Sequence, residues 1–320
     1  MSKQSMRRLF GALAVIPVAL ALGCSSSPTS SPTTSSTSTP DGPYPLTVQA
    51  ANGPVHIDAR PTAIVSLSPT ATEMLYAIGA GSQVKAVDSY SDYPEGTPMT
   101  SLDGNDPNVE AIASYKPDLV VVSQDSPGLE KGLHELGIPV LSDPAATDLA
   151  QEYQQFLGLG QATGHASQAT AEVASIKSSI ARIVAATPRP RGGTYYYELD
   201  QTYYSVTSST FIGQVLGLLG LKSIADSAKG AAASGGYPQL SGEFILRANP
   251  DYIFLADTLC CSQSAATVAA RPGWSTMSAV KDGRILGLND DIASRWGPRI
   301  VDLLSQISDE IRQHPVGSSS

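Results

Sequence analysis

Glu110-Ala-Ile-Ala-Ser-Tyr-Lys-Pro-Asp-Leu-Val-Val-Val122 and Glu243-Phe-Ile-Leu-Arg-Ala-Asn-Pro-Asp-Tyr-Ile-Phe-Leu255 decide the fold of this chain. Seven residues take the glutamate to the proline in both stretches. Each reads as a short amphipathic helix, a Pro-Asp corner and an unbroken apolar strand. Proline keeps the residue before it out of right-handed helical angles, so the helix must stop there. A short continuous apolar run suits a parallel strand covered on both faces. One α/β device therefore occurs twice.

The duplication extends backwards. Leu75-Tyr-Ala-Ile-Gly79 precedes the first copy and Leu216-Gly-Leu-Leu-Gly220 the second, each ending in a glycine that stops a helix. A short strand ending in aspartate should follow in each, Val84 to Asp88 and Ser223 to Asp226. Upstream, Ala63 to Ser68 reads as a strand and Thr70-Ala-Thr-Glu73 as a capping box. Two copies make a pair of lobes rather than a solenoid, and a cleft between lobes is where small ligands are held.

Residues 148–187 carry no strand pattern and read as helix, broken near Gly158 to Gly164. The later piece, His165 to Ala186, has apolar residues at Val173, Ile176, Ile180, Ile183 and Val184, one helical face. It would span about 30 Å. The expected architecture is α/β: two similar lobes with mainly parallel sheets, joined by one long helix, with the ligand cleft between them. The N-terminal lobe covers 46–147, the linking helical region 148–187 and the C-terminal lobe 188–320. A lone helical connection restricts hinge motion, because bending a helix breaks backbone hydrogen bonds.

The 320 residues carry a formal charge of −9 with 15% charged and 42% hydrophobic residues, which implies a folded chain without the basic stripe that nucleic acid requires. Lys3, Arg7 and Arg8 precede an apolar run, Leu9 to Leu22, too short for a confident membrane span. Ala21-Leu22-Gly23-Cys24 resembles a bacterial lipobox, with Ala21 in place of the usual leucine. It implies a signal peptide over 1–23 and a lipid on Cys24. Residues 24–45 are rich in Ser, Thr and Pro and read as a tether.

No catalytic constellation emerges. His56, His134, His165 and His314 are scattered, and Ile138 stands where a helical zinc-protease motif needs its second histidine. Neither a nucleophile elbow nor a phosphate-binding glycine loop is present. The expectation is no enzyme, no cofactor and no bound metal. Cys260 and Cys261 are adjacent and extracytoplasmic thiols oxidise, so a vicinal disulfide is expected, either as a loop staple or as a stiff apolar plate against a ligand. Aromatic residues gather where a cleft should be: Tyr93 after the strand ending at Asp88, the Tyr195-Tyr-Tyr197 run, Tyr237 before the second repeat, and Trp296 between Arg295 and Arg299. For at least one of the Tyr195 run core packing is the stronger reading, because alternate strand residues must face inward. Glu110 and Glu243 each open a helix, where the dipole favours a carboxylate. Their recurrence at one point of both lobes also suggests a matched pair of surface contacts.

From about residue 62 to 312 the chain resembles the helix-linked (class III) periplasmic binding proteins for iron–siderophore complexes, haem and vitamin B12. The likeness rests on Ile64-Val-Ser-Leu-Ser-Pro-Thr-Ala-Thr-Glu73, both Glu-to-Pro repeats and the central helix. It implies a monomeric receptor on the outer face of the bacterial cell membrane that delivers its ligand to an ABC permease. It also implies that Glu110 and Glu243 dock into that permease. Ser91-Asp-Tyr-Pro94 and Tyr237-Pro-Gln-Leu-Ser241 are similar to the cobalamin-binding branch, which points to Tyr93 and Tyr237 as corrinoid contacts. Gly104 and Ser123 occupy places where that branch has aromatic residues. Arg295 and Arg299 would instead suit the anionic groups of a ferric siderophore or haem. A chelatase-type enzyme and a surface scaffold lipoprotein are the competing classes.

Overall fold

A computed structural model of the protein describes residues 44–124, 128–190 and 193–316. The expected signal peptide, Cys24 and nearly all of the tether lie outside the described residues. The described chain falls within one compact unit, 40–320.

A hairpin of β1 (Leu46–Ala50) and β2 (Gly53–Ile57) precedes the first lobe. That lobe then runs β3 (Ile64–Leu67), α1 (Pro69–Ala77), β4 (Val84–Asp88), β5 (Met99–Leu102), α2 (Val109–Ala113), β6 (Leu119–Val122), α3 (Leu129–Glu135) and β7 (Val140–Ser142). Its five strands are all parallel, in the order β5-β4-β3-β6-β7. Two helices follow, α4 (Leu149–Thr163) and α5 (Ala166–Ala186). The second lobe holds β8 (Thr194–Glu198), α6 (Phe211–Gly217), β9 (Lys222–Ser223), α7 (Gly242–Ala248), β10 (Tyr252–Leu255), α8 (Ala265–Ala269), α9 (Ser278–Lys281), β11 (Ile285–Gly287), α10 (Asp290–Ser294) and the closing α11 (Ile300–Gln313). Its strands are also parallel, in the order β11-β10-β8-β9. Each lobe thus puts its first strand inside the sheet with the second on one side; on the other lies β6, the fourth strand, in the first lobe and β10, the third, in the second.

The Pro-Asp corners are built alike. Lys116 and Asn249, the residues before the prolines, take left-handed angles, φ 52° and 46°. The next residue pins the lobe's first strand. Asp118 accepts from the backbone N–H groups of Thr62 (2.8 Å) and Ala63 (3.0 Å) and from the Thr62 hydroxyl (2.9 Å). Asp251 accepts from the Thr194 N–H (2.8 Å) and hydroxyl (2.9 Å). Every residue of β3, β6 and β10 is buried, as two covered faces require.

A single core cluster contains residues of both sheets, Val87 and Val121 with Tyr195 and Phe254, packed with α1, α4, α5 and α11. Smaller clusters fill the outer face of each lobe. The shared core and the 21-residue α5 tie the lobes together.

Four expectations shift. Residues 223–226 do not form a strand: β9 is only Lys222–Ser223, and a 3-10 turn follows over Ile224–Ser227. The break in the linking region is confined to Gly164, in left-handed angles, while α4 runs straight through Gly158 and Gly160. Gly160 is needed for contact rather than flexibility, since a Cβ there would lie 2.4 Å from that of Ala169. All three tyrosines of Tyr195–Tyr197 are core, because both faces of β8 are covered. Finally, Thr70 and Glu73 form no capping box. The N-cap of α1 is Ser68, whose hydroxyl accepts from the Ala71 N–H, and Pro69 occupies the first turn. Glu73 is thereby free for another role.

Candidate ligand cleft and docking surface

In parallel α/β sheets the loops after the carboxyl ends of the strands make the crevice. Among the described residues, five of the eight exposed large apolar side chains sit in such loops: Tyr90, Tyr93, Tyr204, Tyr237 and Leu259. That concentration, drawn from both lobes, marks the strand-end edge as the candidate site. A cavity of about 1020 Å³ lies elsewhere, between the β1–β2 hairpin, α3 and the starts of β6 and β7. It is placed at the amino ends of the strands, beside the pinning residue Asp118, so the tyrosine-bearing edge is kept as the candidate site.

The first-lobe loop is set from below. Asp88 ends β4, buried, and accepts from the Tyr90 N–H (3.1 Å). Burial raises its pKa, opposed by hydrogen bonds from Ser91 and Tyr90. The buried Thr72 hydroxyl is hydrogen-bonded to the hydroxyls of both Ser66 (2.8 Å) and Ser91 (3.1 Å), donating to one and accepting from the other. Tyr93 then projects with 44% of its surface exposed. In the second lobe Tyr204 and Tyr237 lie in loops joined by the Ser205 N–H donating to the Pro238 carbonyl (3.0 Å).

The lobes meet at a buried ionic knot. Glu73, with a fully buried side chain, accepts from Arg295 (2.8 Å) and from two nitrogens of Arg299 (2.9 and 2.5 Å). Arg295 also donates to Asp291 (2.5 Å), to the Tyr90 carbonyl (3.0 Å) and, at 3.5 Å, to Asp92. The Arg299 guanidinium lies 4.2 Å from the Tyr93 ring centre, within cation–π range. Trp296, half-buried between them, donates its indole N–H to Gln155 on α4 (3.0 Å). Tyr93, Arg295, Trp296 and Arg299 therefore form one assembly, while Tyr237 lies in a different second-lobe loop. Sequence reasoning missed its centre, Glu73; the four-residue spacing of the two arginines was the one visible signal, and it did not point to this carboxylate.

A second buried pair sits at the end of β8. Arg271 donates twice to Glu198 (2.6 and 2.5 Å), which is fully buried. Beside it Asp257, also buried, receives no hydrogen bond on either oxygen among the described residues. Burial, then the neighbouring Glu198 charge, raises its pKa. The structure joins Cys260 and Cys261 in a vicinal disulfide in the loop that follows. No cluster of three or more His, Cys, Asp or Glu side chains able to hold a metal occurs among the described residues.

Glu110 and Glu243 occupy the same place in their helices, the second residue after the N-cap. Asn108 caps the first by accepting from the Ala111 N–H (2.8 Å), and Ser241 caps the second by accepting from the Phe244 N–H (3.1 Å). The capping leaves both carboxylates outward, exposed and with no ion pair or hydrogen bond among the described residues.

The profile of the family described as periplasmic binding protein matches residues 64–292. The chain is 30% identical over 279 residues to the ABC transporter substrate-binding lipoprotein YvrC of Bacillus subtilis, covering 84% of this chain and 86% of that one. It is 28% identical to a cobalamin-binding protein of Halobacterium salinarum, covering 83% and 73%. The crystal structure of a possible iron-binding, periplasmic solute-binding protein of Staphylococcus epidermidis superposes with a TM-score of 0.67 at 28% identity, covering 79% of this chain and 99% of that one.

Proposed function

The chain belongs to the periplasmic binding protein family, and from that premise we propose that it is a lipid-anchored receptor that captures a corrinoid and hands it to an ABC permease. The observation that carries the choice of ligand is the charge balance of Arg295 and Arg299. Both guanidinium groups are largely buried, and Glu73 and Asp291 already neutralise them. Neither is available to an anionic siderophore or a haem propionate without breaking a buried pair, which costs several kcal/mol, about 3–5. What the edge offers instead is tyrosine surface on both lobes, suited to a broad ligand with an apolar face and neutral amide fringes. The cobalamin-binding name of the Halobacterium relative supports the same reading.

In this reading Tyr93 and Tyr237 stack against the ligand from opposite lobes. Arg299 serves beneath Tyr93, and Arg295 and Trp296 hold the floor of the cleft. Glu110 and Glu243 meet basic residues of the permease, one from each lobe. Cys24 carries the lipid, and residues 24–45 hold the lobes off the membrane. The continuous core and α5 keep lobe movement on binding small.

Calorimetric titration of the purified protein with cyanocobalamin, a ferric hydroxamate and haemin tests the ligand. Saturable one-to-one binding of cyanocobalamin is expected. Binding of only the ferric hydroxamate or haemin would replace the corrinoid with an iron-bearing ligand.

A further inference from the structure

The Cys260–Cys261 bridge needs a purpose other than stability. A disulfide stabilises chiefly by closing a long loop in the unfolded chain. One between neighbours closes almost no loop, so chain closure gives it little to contribute. The loop that carries it is nevertheless clamped from two sides. Asp290, at the start of α10, accepts from the N–H groups of Leu259 (2.9 Å) and Cys260 (2.8 Å). Gln263 donates to the Cys261 carbonyl (3.1 Å) and accepts from Arg271 (2.7 Å), the residue that neutralises buried Glu198. Asp257 lies buried at the root of the loop with neither oxygen hydrogen-bonded among the described residues. Ser262, directly after the pair, is held at φ 54°, a strained angle for a residue with a side chain.

What this scaffold presents is apolar. Leu259 is 64% exposed, more than any other large hydrophobic residue described, and Cys260 is exposed beside it. The presentation is also directed. Asp290 holds this loop, while its neighbour Asp291 holds Arg295, which in turn holds the Tyr90 carbonyl and Glu73 of the first lobe. The disulfide loop is therefore one residue removed from the knot at the base of the cleft. An exposed leucine and a stiff pair of sulfurs at that place form a surface against which a flat, polarisable ligand can rest.

We propose that Leu259 and the Cys260–Cys261 disulfide form a ligand platform on the second-lobe side of the cleft, effective only while the disulfide is intact. The proposal rests on the reading of the strand-end edge as the ligand site. It adds a specificity-determining element with a redox dependence.

The test compares the untreated protein, the protein reduced with a phosphine, the double variant Cys260→Ser/Cys261→Ser, and Leu259→Asp, which keeps the disulfide. Each is titrated with cyanocobalamin, ferric hydroxamate and haemin, with thermal melting as the control for folding. The expected result is a Kd raised about tenfold in all three altered forms with melting unchanged. Saturating ligand should also slow iodoacetamide labelling of the reduced pair several-fold. Should the wild type bind an iron ligand instead of cyanocobalamin, the same rise with that ligand supports the platform and corrects only the corrinoid. Unchanged Kd in the altered forms, with no protection of the thiols, overturns the platform and leaves the cleft standing. A wild type that binds none of the three overturns the cleft reading, and the platform falls with it.

Discussion

The two lobes agree at one end of their sheets and differ at the other. At the amino ends the Pro-Asp corners match residue for residue, with Asp118 and Asp251 each pinning a first strand. Gly79 and Gly220 stop matching helices at φ 87° and 82°. At the carboxyl ends only the glutamates repeat, each in the first turn of a helix that leaves that edge, and the rest of the edge differs. The first lobe has a hydroxyl network of Ser66, Thr72 and Ser91. The second buries Glu198 with Arg271 and leaves Asp257 beside them. The difference teaches a division of labour. Under the proposed function, what is repeated builds the fold and faces a partner that meets both lobes alike, and what is not repeated shapes a cleft for a ligand that has no such symmetry.

The largest predicted effect tests the join between the lobes. Glu73→Ala leaves two buried guanidinium groups without their shared carboxylate and should cost about 3–5 kcal/mol in denaturant unfolding. Glu198→Ala strands only Arg271, and Asp257 is at hand to pair with it, so a smaller loss, about 1–2 kcal/mol, is expected. Equal losses would erase the distinction between a lobe-bridging pair and a lobe-internal one.

Next comes the linking region. Glu152 on α4 is buried with neither oxygen hydrogen-bonded among the described residues, and burial pushes its pKa up to about 8. The folded protein therefore holds a proton that the unfolded chain releases above its ordinary value of 4.5. Stability should fall as pH rises from there, with the loss complete above about 8. Asp143, raised to about 7 by burial, acts in the same direction. Glu152→Gln removes its own share. It should match the wild type near pH 4 and exceed it by on the order of 2 kcal/mol at pH 8, measured by urea unfolding across that range.

The corners give a smaller and more exacting comparison. Asp118→Ala and Asp251→Ala should each cost about 1–2 kcal/mol and should agree with one another. A cost confined to one lobe would break the equivalence of the two devices. Smallest of all, Glu110→Ala and Glu243→Ala should leave melting within about 0.5 kcal/mol of wild type, since neither carboxylate has a partner within the described chain.

These contrasts also explain what could be read before the fold was known. The corners, the glycine stops, α5 and α11 are written in local spacing, and spacing survives in a linear reading. Glu73 was not legible. Thr70-Ala-Thr-Glu73 has the form of a capping box, but Ser68 and Pro69 start the helix two residues earlier. The true partners of Glu73 lie more than 220 residues away. For the same reason Arg295 and Arg299 looked like groups awaiting an anion. Strand β9 was overdrawn because Ser223-Ile-Ala-Asp226 is apolar enough to pair, yet only its first residue does, and Ser223 instead caps the following turn. The cysteine pair was legible as a bond. Its clamps, Asp290 and Gln263, come from the folded arrangement.

The central claim is that repeated surface serves the permease and unrepeated surface serves the ligand. The most direct measurement takes two double variants, Glu110→Ala/Glu243→Ala and Tyr93→Ala/Tyr237→Ala, and determines for each both the cyanocobalamin Kd and the rate of uptake in cells. The account predicts that the glutamate pair keeps its affinity and loses uptake at least tenfold, while the tyrosine pair loses affinity about tenfold or more. A glutamate variant that takes up ligand normally, or that binds it weakly, would contradict the account.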